Sequence, residues 1–418
     1  MQLSLINSLL MKLPKSYYVA LALFTVVLQA QEFNEIKVDS IVTAGIKTQA
    51  YPGAQLLVFK KGQVVHHKSY GYHTYDSLVQ VEDHHLYDLA SVTKILAGTL
   101  SFMKIYETGG VDLNAPIKTY FKRLENTNKK NSTLKEILSH SAGWEPYIAH
   151  QTTLRRKNGR FKKRGVSLER SSKYPTAVYD DLYAHKDYKK LIYKRIAKTK
   201  LRTKGEYLYS GLWFFFLPEW IEERTGKSFS NFLSDSFYKP LGADRLGFLP
   251  LEKFPKAEIV PTEIDSYFRN NLVQGWVHDE AAALMGGISG NAGLFGNAES
   301  IAKVLEMLLY GGTYQSQSYL KKSTVDLFTQ KAYPNQINRR GLGFDKPDYL
   351  IEETYPSKSL SPQSYGHTGF TGTFVWVDPI YETFIVFLTN RVYPSRSQRG
   401  LYQLGIRSKL IELTIGIP

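Results

Sequence analysis

Cysteine is missing from all 418 residues of the chain. Its absence excludes disulfide bonds, a thiol nucleophile, cysteine-ligated zinc and a lipid-modified N-terminal cysteine. Two other ligand-binding patterns are missing as well: the H-x-x-x-H or H-E-x-x-H spacing that holds zinc, and the G-x-x-x-x-G-K-[ST] phosphate loop. We therefore expect neither a metal nor any other cofactor, and a core that is stable without covalent cross-links.

Acidic residues are missing from positions 1–30, where the only bases are Lys12 and Lys15. An apolar run, YYVALALFTVVLQA at 17–30, follows directly. This is the layout of a secretory signal, with Ala30 before the cut. An uncleaved anchor is the alternative, although the run is short for a membrane span. We predict a signal peptide at 1–30 and an exported protein, periplasmic or secreted, that stays membrane-anchored if the signal is not cleaved.

Negative charge is also scarce in the chain as a whole, since 53 Lys and Arg outnumber 38 Asp and Glu and give a net charge of +15. Seven of the ten residues from Arg155 to Arg164 are basic. The cluster lacks the series of aromatic side chains on which nucleic-acid bases stack, so we expect no nucleic-acid partner. For an exported protein we expect a solvated loop, or attraction to an anionic envelope polymer or membrane surface. Deleting 155–164 and measuring retention on liposomes or DNA tests this hypothesis.

Strand patterns lie near both ends of the chain, and helical patterns lie between them. The predicted elements are a helix at 34–47, a hairpin at 54–60 and 63–72, a second hairpin at 372–378 and 383–390, and a closing helix at 397–414. The long middle, 91–330, is mostly helical in pattern and is broken by Gly, Pro and Ser. A sheet built from both ends with helices inserted between them is an α+β fold.

The S-x-x-K spacing occurs at six serines, namely Ser91, Ser101, Ser132, Ser236, Ser300 and Ser318. Ser91 opens an apolar helical run, which places its hydroxyl at a helix N-terminus, where backbone N–H groups stabilise negative charge. Lys94 lies three residues further, on the same helix face and one turn inward. A lysine turned toward the interior loses its proton more readily and would accept one from Ser91. For this motif alone, an N-cap serine beside a surface lysine is the alternative.

Two further motifs favour chemistry at Ser91. Tyr209 heads a strongly apolar helical stretch, from which its phenol would serve as a second acid or base; a core aromatic residue is the alternative. His367, Thr368 and Gly369 form the only [KH]-[ST]-G triplet and directly precede a predicted strand; a simple turn is the alternative. Small residues there would let a substrate lie along the strand edge. The N–H groups of Phe370 and Ser91 would form an oxyanion hole.

The chain resembles the serine β-lactamase and penicillin-binding protein family, in the branch of class C β-lactamases, D-alanyl-D-alanine carboxypeptidases, D-aminopeptidases and esterases. Seven ordered segments between about 31 and 415 carry the resemblance. They are PGAQLLVFKKGQVVHHKSYGYHTYD (52–76), YDLASVTK (87–94), TLKEILSHSAGW (133–144), YSG (209–211), PLGADRLGF (240–248), VHDEAAALMGGISGNAGLFG (277–296) and YGHTGFTGTFVWVDP (365–379).

The resemblance implies one β-lactamase-like domain, 31–418, built in two parts. An antiparallel sheet flanked by helices would come from about 31–120 and 281–418, and a mostly helical part from about 121–280. The active site would lie in the cleft between them.

The resemblance also implies acyl transfer on an amide or ester: a D-amino-acid peptide, an ester or a lactam. Ser91 would attack the carbonyl, Lys94 and Tyr209 would move the proton, and water would resolve the acyl-enzyme. The substrate would be a small molecule or of peptidoglycan type.

Two positions depart from the family pattern. Gly211 stands where the Tyr-x-Asn motif has its asparagine, so the amide that holds a substrate's acylamide group is missing. His367 replaces the lysine of Lys-Thr-Gly, as is common in the carboxypeptidase and esterase branches. Both changes favour a carboxypeptidase or esterase over an efficient β-lactamase. A catalytically inactive envelope-binding protein on the same scaffold is the remaining alternative.

Overall fold

The structure, a computed structural model, describes residues 33–350 and 355–415. The signal peptide predicted at 1–30 lies outside the described residues. Within the described ranges, no helix combines the length and the apolar composition that crossing a membrane requires.

Eleven α-helices and fifteen strands are found in the described part of the chain. The helices are α1 (Glu35–Lys47), α2 (Leu100–Glu107), α3 (Leu134–Leu138), α4 (Tyr188–Lys198), α5 (Leu217–Thr225), α6 (Phe229–Leu233), α7 (Glu280–Leu284), α8 (Ala298–Leu309), α9 (Lys322–Thr329), α10 (Gly400–Gln403) and α11 (Ile406–Thr414). The strands are β1 (Gly53–Lys60), β2 (Gln63–Gly71), β3 (Tyr87–Asp88), β4 (Val166–Ser167), β5 (Thr176–Tyr179), β6 (Leu182–Ala184), β7 (Leu246–Phe248), β8 (Ile264–Asp265), β9 (Asn271–Leu272), β10 (Leu294–Gly296), β11 (Thr313–Tyr314), β12 (Gln317–Ser318), β13 (Tyr365–Thr368), β14 (Phe374–Asp378) and β15 (Thr383–Thr389).

The central sheet joins the two ends of the chain, and this confirms the predicted α+β fold. Its strand order is β13-β14-β15-β1-β2, and every neighbouring pair is antiparallel. The predicted hairpins are β1–β2 and β14–β15, and they meet where Leu57 of β1 lies opposite Val386 of β15. β13 therefore forms one edge of the sheet, and this edge carries His367 and Thr368.

Both faces of the sheet are covered, because successive strand residues point to opposite sides. On one face, α1 and α11 pack Val42 and Leu410 into one cluster with Leu56 of β1. On the other face, Leu57 belongs to the larger core that holds Leu305 of α8. Burying an aliphatic side chain of this size contributes about 1.5–3 kcal/mol. The sheet is thus fixed from both sides and forms a rigid base for the residues on its edge.

Two details differ from the sequence predictions. The closing helix is not continuous, because Gly405 has a φ of +58° and separates α10 from α11. The middle segment 121–280 contains the short strands β4 to β9 in addition to the helices α3 to α6. Strands of two to four residues are too short to show an alternating pattern, which is why they were not predicted. The division of the chain into two parts remains a prediction.

Candidate active site

Ser91 and Lys94 are in direct contact. Lys94 Nζ donates hydrogen bonds to Ser91 Oγ at 2.9 Å and to the carbonyl oxygen of Asn291 at 3.0 Å. Ser91 lies in the 3₁₀ turn Ala90–Val92, directly after β3, and Lys94 opens the π-helical turn Lys94–Thr99 that leads into α2. Lys94 is only 3% exposed and so is not a surface lysine.

The other S-x-x-K serines have structural roles or none that the structure shows. Ser101 Oγ donates to the carbonyl of Gly98, and Ser132 Oγ accepts from the indole of Trp144. Ser318 lies in the exposed strand β12, and its Oγ donates to the carbonyl of Leu320. Of the six pairs, all within the described residues, only Ser91 and Lys94 are hydrogen-bonded to each other. The contact therefore separates Ser91 from motifs that share its spacing.

Tyr209 packs beside this pair. Its ring centroid is 5.5 Å from Lys94 Nζ, and its ring lies 4.6 Å from that of His140 and 6.0 Å from that of His367. The hydroxyl of Tyr209 is buried and has no hydrogen-bond partner among the described residues. A phenol without a partner beside a lysine and a serine is free to bond a substrate atom.

His367 is buried and held in one tautomer. Its Nδ1 lies 2.8 Å from the carbonyl oxygen of Thr368, which can only accept, so Nδ1 carries the proton. Nε2 then accepts from the guanidinium of Arg340 at 3.3 Å. Burial, together with the nearby charges of Arg340 and Lys94, lowers the pKa of His367 to about 3. The ring is therefore neutral at physiological pH.

The turn after β13 brings Phe370 close to Ser91. Gly369 is required there because a Cβ would lie 2.6 Å from the carbonyl oxygen of Leu89, just before the nucleophile turn. The side chain of Phe370 is 48% exposed. Its N–H makes no hydrogen bond to another described residue. That the N–H groups of Phe370 and Ser91 act as an oxyanion hole remains a prediction.

Two cavities meet at Ser91, and Tyr209 and Phe370 line both. The first has a volume of about 520 Å³ and is lined on one side by β13 and on another by basic side chains. Its charged lining residues are Arg339, Arg340, Arg407 and Asp345. We refer to it as the arginine cavity. Positive charge next to Ser91 favours the binding of an anionic group.

Asp345 neutralises only part of this charge. It forms ion pairs with Arg340 at 2.9 Å and with Arg339 at 2.9 Å, and the two guanidinium groups hold the pKa of its buried carboxyl well below the usual range. Arg339 also pairs with Asp348. Arg407 forms no ion pair within the described residues; it donates to the carbonyl oxygen of Thr373 at 3.0 Å.

The second cavity, of about 450 Å³, is lined by apolar side chains together with acidic and basic ones. Among its lining residues are Ile148, Leu212, Phe215, Asp279 and Glu280. Gly211 lies at its floor, where an added Cβ would be 3.1 Å from Lys94 Cε. A side-chain amide at this position would therefore lie against Lys94, and its absence leaves this floor apolar.

The sequence did not point to the residues that surround this constellation. Arg339, Arg340, Asp345 and Arg407 lie in loops or in a C-terminal helix and belong to no spacing motif. Asn291, whose carbonyl binds Lys94, is 197 residues away along the chain. A pair of adjacent arginines in a Gly-rich segment, 338–343, was the only local signal.

Metal-ligand atoms converge at two places outside the cavities. Glu82, His84 and His85 bring three such atoms within 4.8 Å, as do Glu35, Asp39 and His66. His84 and His85 lie in a turn with ring centroids 4.5 Å apart, so they do not point to opposite faces as expected for a strand. In the second group, Asp39 already accepts hydrogen bonds from Lys68 and Tyr70. Neither group contributes a residue to the two cavities.

Buried neutral histidines predict that acid destabilises the fold. Burial is the largest cause that lowers the pKa of four of them, to about 4 for His73 and His150, to about 3 for His367 and well below 6.5 for His140. The unfolded chain binds protons at about pH 6.5, so the free energy of unfolding is greatest above that pH. It falls as the pH drops from 6.5 toward 4, by about 1.4 kcal/mol per pH unit for each histidine.

Urea unfolding at pH 7.5, 6.0 and 5.0 checks this prediction. His73→Gln should flatten the pH dependence. The exposed His84→Gln should leave it unchanged, because no buried neutral ring is removed there. Equal unfolding midpoints for the wild type at pH 7.5 and 5.0 would contradict it.

Comparison with known proteins finds similarity to the Beta-lactamase family over most of the chain. The Beta-lactamase family model matches residues 38–406. An Escherichia coli K12 protein that carries the name "Putative D-alanyl-D-alanine carboxypeptidase" is 29% identical over 367 residues, 82% of this chain and 79% of the relative. An N-acetylmuramyl-L-alanine amidase of Bacillus subtilis strain 168 is 27% identical over 380 residues, 85% of this chain and 80% of the relative. A penicillin-binding protein homolog from Caulobacter crescentus shares the fold, with a TM-score of 0.63 at 16% identity over 90% of this chain and 95% of that one.

Proposed function

The chain belongs to the Beta-lactamase family, and we propose that it is a serine hydrolase that works through an acyl-enzyme on Ser91. The observation that carries the proposal is the 2.9 Å hydrogen bond from buried Lys94 to Ser91 Oγ, at the point where two cavities meet. Lys94 Nζ is within hydrogen-bond distance of Ser91 Oγ, which is the arrangement of a nucleophile and its activating base.

The proposed reaction needs no group beyond the chain and water. Ser91 Oγ attacks the substrate carbonyl while its proton passes to Lys94, and the N–H groups of Ser91 and Phe370 stabilise the oxyanion. Tyr209 donates a proton to the leaving group as the carbonyl–leaving-group bond breaks. Lys94 then passes the serine proton to the Tyr209 phenolate. Water attacks the ester on Ser91 and gives a proton to Lys94, which returns it to Ser91 Oγ as the acid product leaves.

We propose a peptide that ends in a free carboxylate, of the D-alanyl-D-alanine type, as the substrate. The arginine cavity supports this, because Arg407 lines it and has no carboxylate partner within the described residues. The name of the Escherichia coli relative supports it as well. The edge of β13 beyond Gly366, where Asp345 pairs with the strand, offers backbone groups that an extended peptide can pair with.

Arg407→Gln is expected to raise KM for such a peptide about tenfold, the loss of about 1.4 kcal/mol of charge attraction. The control substrate is the same peptide with a C-terminal amide, for which KM should stay unchanged. Arg407→Lys, which keeps the charge, should retain most of the affinity. Steady-state kinetics with both peptides test this prediction. Equal KM changes for the peptide with a free carboxylate and for the peptide with a C-terminal amide would contradict carboxylate recognition by Arg407.

We further propose that the chain is exported and meets its substrate in the cell envelope, which the predicted signal peptide and the names of the relatives, a carboxypeptidase and an N-acetylmuramyl-L-alanine amidase, support. Mass spectrometry of the N-terminus tests the cut after Ala30.

The basic cluster at 155–164 forms a turn whose bases are exposed, and the guanidinium of Arg155 lies over the ring of Phe161, 4.0 Å from its centroid. The turn follows directly on the His150–Thr153 segment of the second cavity. Its attraction to an anionic envelope polymer remains a prediction.

A further inference from the structure

The residue before the nucleophile has an unusual backbone. Ala90 has a φ of +44°, in the left-handed region that residues with a Cβ rarely adopt. It opens the turn that presents Ser91, so the direction of the Ser91 N–H and Oγ depends on this dihedral angle. A strained residue next to a nucleophile has to be held in place by its surroundings.

The side chain of Asp88 restrains the backbone of Ala90 by a hydrogen bond. It is 1% exposed, and its Oδ1 accepts the N–H of Ala90 at 2.8 Å. Its Oδ2 accepts the backbone N–H of His278 at 2.6 Å, on the wall of the second cavity. The Asp88 carboxylate thus links the turn that carries Ser91 to the wall of the second cavity through two hydrogen bonds.

The backbone next to Asp88 is fastened to the Phe370 turn. Thr371 Oγ1 donates to the carbonyl oxygen of Asp88 at 2.7 Å, and Thr373 Oγ1 donates to that of Leu89 at 3.0 Å. The segments that carry the two proposed oxyanion donors, Ser91 and Phe370, are therefore joined through the dipeptide 88–89. A displacement at Asp88 would change the geometry of both.

Stability alone does not explain a carboxylate at this position. Burial raises the pKa of Asp88 above the usual value for an aspartate, in spite of the two N–H groups that it accepts. An acid whose pKa is raised on folding destabilises the fold at pH values above its unfolded pKa. At neutral pH the charge of Asp88 therefore lowers the free energy of unfolding.

We propose that Asp88 is a positioning residue, whose carboxylate holds Ala90 in the left-handed conformation and so orients Ser91 for attack. Asp88 does not touch the substrate and acts only through Ala90 and the turn. The inference rests on the proposed function of Ser91.

Asp88→Asn is the direct test, because it keeps the shape but replaces one accepting oxygen by an NH₂ group that faces an N–H donor. We expect kcat to fall about 10- to 100-fold through misplacement of the nucleophile, while KM changes by less than about twofold, since the cavities are intact.

Asp378→Asn is the matched control. Asp378 is fully buried and accepts the N–H groups of Ser361 and Ile380 at 2.7 and 3.1 Å, away from both cavities. The Asp378→Asn variant should be less stable than the wild type but should keep the wild-type kcat.

Rescue by glycine separates positioning from general damage. Glycine adopts positive φ freely, so Ala90→Gly in the Asp88→Asn background should recover most of the lost kcat. Ala90→Gly alone is the reference for the double variant, and the two should have the same kcat to within about threefold, because glycine does not need the Asp88 carboxylate to adopt positive φ. An unrescued double variant, or a fully active Asp88→Asn, would overturn the proposal. If Asp88→Asn cannot be purified, Asp88→Glu keeps the charge but moves the carboxylate away from the Ala90 N–H, and an unchanged kcat in that variant would overturn the proposal equally. Failure of the wild type to be labelled at Ser91 would overturn the proposed function instead.

Discussion

Replacing Ser91 by alanine is expected to abolish turnover and covalent labelling together. The variant removes the side-chain oxygen to which Lys94 Nζ donates a hydrogen bond, so no activated hydroxyl remains at the meeting point of the two cavities. Loss of the nucleophile in a serine hydrolase lowers kcat by roughly a millionfold. The fold should be retained, because Ser91 is partly exposed and its side chain fills no core space.

The measurement is labelling with a fluorophosphonate and, in parallel, a fluorescent penicillin, followed by peptide mass mapping. An adduct on Ser91 in the wild type and none in the alanine variant is the expected pair of results. Ser318→Ala is the control, since Ser318 has the same S-x-x-K spacing in an exposed strand and should be dispensable. Full activity of Ser91→Ala would contradict the assignment of Ser91 as the nucleophile. Folded wild type that reacts with neither probe would favour the inactive binding scaffold.

The sequence predicted the parts of the fold that depend on local pattern. The hairpins β1–β2 and β14–β15 alternate or run apolar between clear turn residues, and both are confirmed. The resemblance to the β-lactamase family is confirmed by the match over 38–406. The break at Gly405 was missed, because one glycine in an amphipathic stretch does not by itself end a helix.

The site was predictable only where its residues follow one another. Ser91 and Lys94 lie three residues apart in consecutive helical turns, and His367 to Phe370 lie at one strand end, so spacing could indicate them. The arginine cavity depends on contacts between 339–345, β13 and α11, which meet only when the sheet closes. The sequence pattern gave Asp88 no role of its own, and its hydrogen bonds to the backbone of Ala90 and His278 are visible only in the structure.

The two sides of the site also suggest how a substrate is oriented. A carboxylate in the arginine cavity would place the leaving group beside Tyr209 and the acyl group in the second cavity, against the apolar wall at Leu212 and Phe215. Gly211 leaves that wall without the amide that would bind an acylamide group. In that arrangement the phenol of Tyr209, which lines both cavities, would lie beside the leaving group.

Tyr209→Phe is therefore expected to lower kcat by roughly 10²–10⁴-fold, the usual contribution of a general acid or base. The hydroxyl has no hydrogen-bond partner among the residues that the structure describes, and the ring packs beside His140 and His367, so phenylalanine keeps the packing and removes only the proton donor. The loss should depend on the leaving group. It should be large for a peptide, whose amine must be protonated as it leaves, and small for an activated ester, whose phenolate leaves unaided.

Steady-state kinetics on the peptide and on an aryl ester give this comparison, with Tyr207→Phe as the control. Tyr207 lines the arginine cavity two residues away but does not line the second cavity, so its hydroxyl should matter little for either substrate. If Tyr209→Phe slowed the ester and the peptide equally, the phenol would be acting on the attack of Ser91 rather than on the leaving group. If neither substrate were slowed, Tyr209 would be only an aromatic residue that packs beside the nucleophile.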